Sequence, residues 1–277
     1  MNELLKRILT AIVFATLVIG SLILHPLAFA LVLFCFIVIA SFEWLRITKH
    51  LGHTLPISLL LIFSFWLFLP VVLLAAKLDI LVGLAVLSLL LILPVAGIIE
   101  LFRNKENAVT NLMVLGSGML YFVFPLILMM LLAQKEAFAF CPESYTLPLF
   151  LFIVIWTFDT FAYFIGSLIG KHKLFERISP KKTWEGFIGG ALTTMALAYF
   201  ALPYLLNLPK NFMLAGSTII VIFATFGDLF ESMLKRKAGI KDSGTFLPGH
   251  GGVLDRLDSV FFAAPAFFIF CILYFMM

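Results

Sequence analysis

The chain has 277 residues, 63% of them hydrophobic and only 12% charged, with a mean hydropathy of +1.14, whereas a soluble domain carries about 25% charged residues. This balance excludes a soluble globular protein and leaves no stretch for a large water-exposed domain. The net charge of +4 does not point to nucleic acid, because the basic residues are distributed as membrane topology would place them.

Apolar runs of about 20 residues, the length a helix needs to cross about 30 Å of hydrocarbon, recur along nearly the whole sequence. Hydropathy predicts an all-α, polytopic integral membrane protein with about nine transmembrane helices, at 8–24, 27–45, 56–76, 79–99, 112–132, 147–169, 184–206, 212–230 and 258–277. They form a single membrane-embedded domain over 1–277, with N-terminal helices in 1–132 and, in 147–277, C-terminal helices that carry the chemistry. The first run follows Lys6 and Arg7 and flows into the second without a small-residue cleavage site, so it reads as a retained helix rather than a signal peptide. His25-Pro26 marks the turn between these two, since proline disfavours helix at the residue before it. Cys35, Cys141 and Cys271 are scattered, without a CxxC spacing or a neighbouring histidine, which argues against a disulfide framework and a thiolate metal site. No internal repeat is visible.

With the N-terminus in the cytoplasm, sixteen of the 19 Lys and Arg fall on that side, and only Lys77, Lys135 and Lys210 on the other. That is the bias the positive-inside rule expects of an odd number of spans. The two longest polar stretches, 170–183 and 231–257, are then both cytoplasmic.

Carboxylates inside spans are costly, by about 2.5–3.5 kcal/mol, and so mark functional sites. Asp159, in WTFDTFAYFIG, lies roughly 16 Å from the cytoplasmic end of its helix at 1.5 Å per residue. Asp228, in FATFGDLFES, lies near the cytoplasmic end of the eighth span. Glu43 and Glu100 stand at span ends and read as interfacial anchors. Asp255 and Asp258 are three residues apart, so a helix starting near Val253 puts both on one face. Such a pair, joined by Asp228, makes sense around a hard cation such as Mg²⁺, which takes one or two carboxylates and leaves its other positions for water and phosphate oxygens.

Pro248, Gly249, Gly251 and Gly252 form a glycine-rich turn running into a helix, an arrangement that brings backbone N–H groups to an anion, although it matches neither common nucleotide-binding glycine pattern. Around it stand His250, Lys235, Arg236, Lys237, Lys241 and Arg256, and the loop KHKLFERISPKKTWEG adds Lys171, Lys173, Lys181 and Lys182. Anionic lipid and topology account for part of this basic charge. Bases, acids and glycines in one segment fit a phosphate-rich substrate held through metal.

Taken together, SMLKRKAGIKDSGTFLPGHGGVLDRLDS (Ser232 to Ser259), ISPKKTWEG (Ile178 to Gly186) and DTFAYFIGSLIGKHK resemble the signatures of the phosphatidate cytidylyltransferases, or CDP-diacylglycerol synthases. The resemblance covers most of the C-terminal half and is only hydropathic in the N-terminal half; Ser167 and Glu176 depart from residues frequent in that family. It implies transfer of CMP from CTP to phosphatidic acid in the bilayer, giving CDP-diacylglycerol and pyrophosphate with Mg²⁺, and leaves a second cation and a homodimer open. The implied catalytic set is Asp228, Asp255, Asp258 and Lys241, the three aspartates also binding metal. The implied substrate-binding set is Lys181, Lys182, Lys235, Arg236, His250, Gly251, Gly252, Arg256 and Asp159. The expected location is the cell's inner membrane, with the active site facing the cytoplasm.

A transporter is the main rival, with Asp159 and Asp228 as coupling-ion sites, but the polar residues gather in two loops rather than at the midplane. A polyprenol kinase or a CDP-alcohol phosphotransferase is a second; the latter's Asp-Gly, Ala-Arg pattern followed by spaced aspartates is missing from the sequence.

Overall fold

The computed structural model describes residues 3–103, 106–134, 141–246 and 251–276. It is almost wholly helical, and among the described residues seven helices are long and apolar enough to cross a membrane. The chain divides into two compact units, Met1–Gln134 with Lys237–Arg256, and Lys135–Arg236 with Leu257–Met277.

In the first unit, α1 (Glu3–Leu24) and α2 (Pro26–Thr48) meet at His25, which is extended and whose ring nitrogen accepts the N–H of Leu27 at 3.1 Å. This is the turn that His25-Pro26 predicts. Next come α3 (Ile57–Ala75) and α4 (Asp79–Ser88), then a 3₁₀ turn at Leu89–Leu91 and α5 (Ile92–Arg103). Pro94 explains the tightened turn: it has no N–H for the carbonyl four residues earlier, and its ring crowds the preceding turn. The span Ala108–Leu132 is likewise interrupted. It runs as α6 (Ala108–Gly118), a π turn at Met119–Val123, and α7 (Phe124–Leu132) with Pro125 in its first turn. The Trp44 indole donates to the Val114 carbonyl at 3.0 Å, in space that the missing side chain of Gly118 leaves open.

The carboxylate of Glu100 is buried; it pairs with Arg103 and accepts from Asn111 Nδ2 at 2.8 Å. Asn111 Oδ1 in turn accepts the N–H of Thr54 at 2.7 Å. Glu100 is therefore more than the interfacial anchor expected from its place at a span end. Its charge is closed into a network that ties α5 and α6 to the segment before α3.

The second unit begins with α8 (Thr146–Ile169), a hairpin of β1 (Lys173–Phe175) and β2 (Ser179–Thr183), and α9 (Trp184–Phe200). The strands are antiparallel, with Lys173 opposite Thr183 and Phe175 opposite Ser179. Thr183 caps α9, its hydroxyl accepting the N–H of Gly186 at 3.2 Å. Helices α8 and α9 pack backbone to backbone: a methyl placed on Gly190 would lie 2.9 Å from both Cβ and N of Ala162. Small residues at such an interface let membrane helices approach closely.

The predicted span 184–206 is broken, because α9 ends at Phe200 and the five-residue α10 (Leu202–Leu206) restarts with Pro203 in its first turn. At 17 residues α9 is not among the seven longer spans, and the predicted first span forms α1, whose apolar part is Leu9–Leu24.

Helix α11 (Lys210–Lys237) runs past the predicted end at 230. Its polar tail stays helical through pairs one turn apart: Ser232 Oγ donates to Asp228 Oδ1 at 3.2 Å, and Lys235 pairs with Glu231. The last helix is α12 (Leu254–Met276). Phe150 on α8, Phe212 on α11 and Phe267 on α12 are fully buried and pack as tilted pairs, with ring centroids 5.6–6.2 Å apart. These rings form the core of the second unit.

Candidate active site

A cavity of about 510 Å³ opens in the second unit between the lower part of α8, the hairpin and α11. Its volume falls within the range of about 300–1,000 Å³ typical of small-molecule sites. Asp159 on α8 and Asp228 on α11 line it, with Lys181 and Lys182 from β2 and Lys173 from β1. Phe158, Tyr163, Leu174 and Phe187 supply an apolar wall, Phe158 and Phe187 meeting edge to face at 5.8 Å.

The charges are arranged as follows. Lys182 Nζ pairs with Asp228 Oδ2, each side chain about a quarter exposed at 26% and 29%. Asp258, half-buried on α12, lies within electrostatic range of Asp228, Asp159 and Lys182. Helices α11 and α12 can touch here because residue 227 is glycine; a Cβ on it would collide with the Asp258 carbonyl oxygen. The cluster thus collects three carboxylates around one half-buried ammonium, an excess of negative charge. Asp159, a costly residue for a membrane helix, is exposed to this cavity.

The base of the hairpin is held by Glu185 in the first turn of α9. Its carboxylate accepts the N–H groups of Lys171 at 3.1 Å and His172 at 3.2 Å and meets the His172 ring at 2.6 Å. The His172 ring, helped by these backbone donors, holds the Glu185 carboxyl down at about 2. The base of the hairpin is therefore tied to the start of α9, which sets where Lys181 and Lys182 stand. Nothing in the sequence around Glu185 marks the tie it makes.

Asp255 belongs to the first unit. Its Oδ2 accepts the N–H of Ser243 at 2.9 Å, the hydroxyl of Ser243 at 2.9 Å and the N–H of Gly252 at 2.7 Å. Gly251 has φ +80°, in the left-handed region, where a side chain is costly. The buried Glu43, on α2, joins the same knot: its oxygens accept the N–H groups of Val253 at 3.0 Å and Leu254 at 2.9 Å, and the Ser243 hydroxyl at 3.1 Å. Glu43, read from sequence as an interfacial anchor, is instead a carboxylate on the amide groups at the start of α12, where helix N–H groups have no partner of their own.

The remaining sequence candidates are placed as follows. Lys241 and Arg256 are exposed in the first unit. Arg236 is exposed on α11, and Lys235, half-buried, is engaged by Glu231. His250, with Pro248 and Gly249, lies outside the described residues. Asp159, Asp228, Asp258, Lys181 and Lys182 are brought together within the second unit, and Asp255, Gly251 and Gly252 within the first. Among the described residues no group of three or more His, Cys, Asp or Glu side chains forms a complete metal cage. Mg²⁺ does not need one, since one or two carboxylates with water and substrate phosphates suffice; Asp228 and Asp258, adjacent through the Gly227 contact, fit that pattern.

A profile of the cytidylyltransferase family matches residues 5–274, and the chain belongs to that family. Among curated relatives it is 34% identical over 269 residues to the phosphatidate cytidylyltransferase of Bacillus subtilis (strain 168), covering 96% of each chain. It is 49% identical over 118 residues to the protein of that name from Staphylococcus haemolyticus (strain JCSC1435), covering 42% of this chain and 45% of the relative. The corresponding protein of Staphylococcus aureus (strain COL) is 48% identical over 119 residues, with the same coverage.

Proposed function

We propose that the protein transfers CMP from CTP to phosphatidic acid, forming CDP-diacylglycerol and pyrophosphate. The observation that carries this reading is the family match across nearly the whole chain, together with a cavity that pairs basic and acidic side chains with an apolar wall. A phosphate oxygen of the lipid attacks the α-phosphorus of CTP, and the bond from that phosphorus to the bridging oxygen of the β-phosphate breaks, so that pyrophosphate leaves with the electron pair. The nucleophile is already an anion and needs no strong base. The difficulty is the approach of two polyanions, and positioning with charge compensation is the remedy.

Lys182 and Lys181, beside the cavity, neutralise phosphate oxygens, and Lys173 adds a third cation from the opposite strand. The apolar wall of Phe158, Tyr163, Leu174 and Phe187 accepts the glycerol and upper acyl carbons of the lipid. Asp159 narrows the polar end and repels a misplaced anion. Asp228 and Asp258 are the carboxylates that would hold Mg²⁺, which when bound would supply charge neutralisation for the triphosphate and the leaving pyrophosphate. Asp255 shapes the glycine turn, and with Lys241, Arg256, Gly251 and Gly252 forms the polar surface of the first unit. The strong bias of Lys and Arg to one side of the span map supports a site facing the cytoplasm, where CTP is found.

The test is an assay of purified protein in detergent with labelled CTP, phosphatidic acid and Mg²⁺, followed for lipid-soluble label and for pyrophosphate in equal amounts. Absence of both products, with ion-driven solute flux in liposomes instead, would favour a transporter and refute the proposal.

A further inference from the structure

Glu43 stands in the half of the chain where the sequence resemblance is only hydropathic, yet it is among the most heavily engaged carboxylates of the first unit. It is 6% exposed and accepts from two consecutive backbone amides and one hydroxyl. The Ser243 hydroxyl has one proton and stands 3.1 Å from Glu43 Oε2 and 2.9 Å from Asp255 Oδ2, so it couples the two side chains directly. Space is reserved for this carboxylate on two sides. A Cβ on Gly244 would run into Glu43 Oε1, and a Cβ on Gly252 into both Glu43 oxygens and the Ser243 hydroxyl.

We propose that Glu43 is a positioning residue for the nucleotidyl transfer, a carboxylate bracket that ties Ser243 to the start of α12 at Val253 and Leu254 and with them fixes the carboxylate of Asp255. This rests on the reaction proposed above. Glu43 touches no substrate; it acts through the backbone at Val253 and Leu254 and through Ser243. Both oxygens are needed as acceptors. In Glu43→Gln one of them becomes an NH₂ that faces a backbone N–H, donor against donor, and the turn loses its fixed register. Partners that orient a catalytic shell in this way are worth about ten- to a hundredfold in activity. The loss falls on kcat rather than on the KM for phosphatidic acid, because lipid capture is served by the apolar wall of the other unit.

The experiment measures kcat and KM for CTP and phosphatidic acid in wild type, Glu43→Gln, Gly244→Ala and Glu100→Gln, alongside hydrogen exchange of the 251–255 amides in the same detergent. Glu100→Gln is the control, a buried glutamate of the same unit in a separate network. The expected result is a fall in kcat of about ten- to a hundredfold for Glu43→Gln with the lipid KM unchanged, faster exchange at Val253 and Leu254, and neither change in Glu100→Gln. A wild-type kcat, or unaltered exchange at those amides, in folded Glu43→Gln overturns the bracket while leaving the reaction standing. Should Glu43→Gln not be recovered folded, Gly244→Ala decides, since its methyl displaces the carboxylate without removing it; wild-type kcat there overturns the proposal. A wild-type protein that makes no lipid-linked cytidylate sinks the reaction and this role together.

Discussion

Replacing Lys182 with methionine keeps most of the unbranched apolar stem and removes the charge. In the structure that ammonium pairs with Asp228 while both side chains are about a quarter exposed. Two unit charges 4 Å apart interact by about 4 kcal/mol at an effective dielectric of 20, and discounting for partial exposure leaves about 2–3 kcal/mol. On the proposed reaction, the same ammonium would face CTP phosphate oxygens that gain charge as pyrophosphate departs, and its loss would cost the transition state a similar energy. At 1.36 kcal/mol per factor of ten, kcat/KM should fall about 30- to 150-fold. Lys181→Met, altering an exposed lysine of the same strand, should cost well under tenfold, because water screens it. The assay is incorporation of labelled CTP into lipid by purified protein, with thermal unfolding measured in parallel. A folded Lys182→Met protein with wild-type kcat/KM, or equal losses in the two variants, would refute the placement of the phosphates beside Asp228.

Asp258→Asn and Asp255→Asn should each abolish turnover while the protein still inserts and unfolds at a near-normal temperature, and near-normal product formation in either would remove that carboxylate from the catalytic set. Gly190→Ala puts a methyl 2.9 Å from Ala162, short of the about 3.5 Å carbon contact distance. Helices α8 and α9 must part by about 0.6 Å, and a loss of stability of about 1–3 kcal/mol is expected in denaturant titrations. Glu185, in the first turn of α9, has its carboxyl lowered to about 2 from 4.5, so its contribution is fully present above about pH 4.5 and is lost as pH falls towards 2. Hydrogen exchange at Lys171 and His172 should lose its protection over that interval, and Glu185→Gln should remove the dependence.

Much of the fold was open to reading from hydropathy because each span is a continuous apolar run, and His25-Pro26 gives the first turn outright. The interruptions were less visible. Pro94 and Pro125 do not end their spans but convert single turns to 3₁₀ and π geometry, and Pro203 helps restart the chain after α9. Asp159 and Asp228 stood out because a carboxylate in a greasy helix has few innocent explanations. Glu43 escaped for the opposite reason: a glutamate beside Trp44 at a span end looks like any interfacial anchor, and its partners are backbone N–H groups 210 and 211 residues away. Backbone amides carry no sequence signature. The available hint was the pair Gly244 and Gly252, whose missing side chains make room for something large. Asp255 and Asp258, neighbours in sequence, serve different surroundings, one a turn tied to Ser243 and the other the cluster around Asp228.

The room left at Gly244 and Gly252 also constrains how this chain can diverge. One side chain, at 43, fills a volume that two positions some two hundred residues downstream must leave empty. An alanine fixed at 244 is tolerable only if residue 43 shortens first, and one at 252 only if the Ser243 hydroxyl gives way as well. The three positions should therefore drift as a linked group among descendants of this sequence, although no stretch of chain that contains one of them hints at the other two.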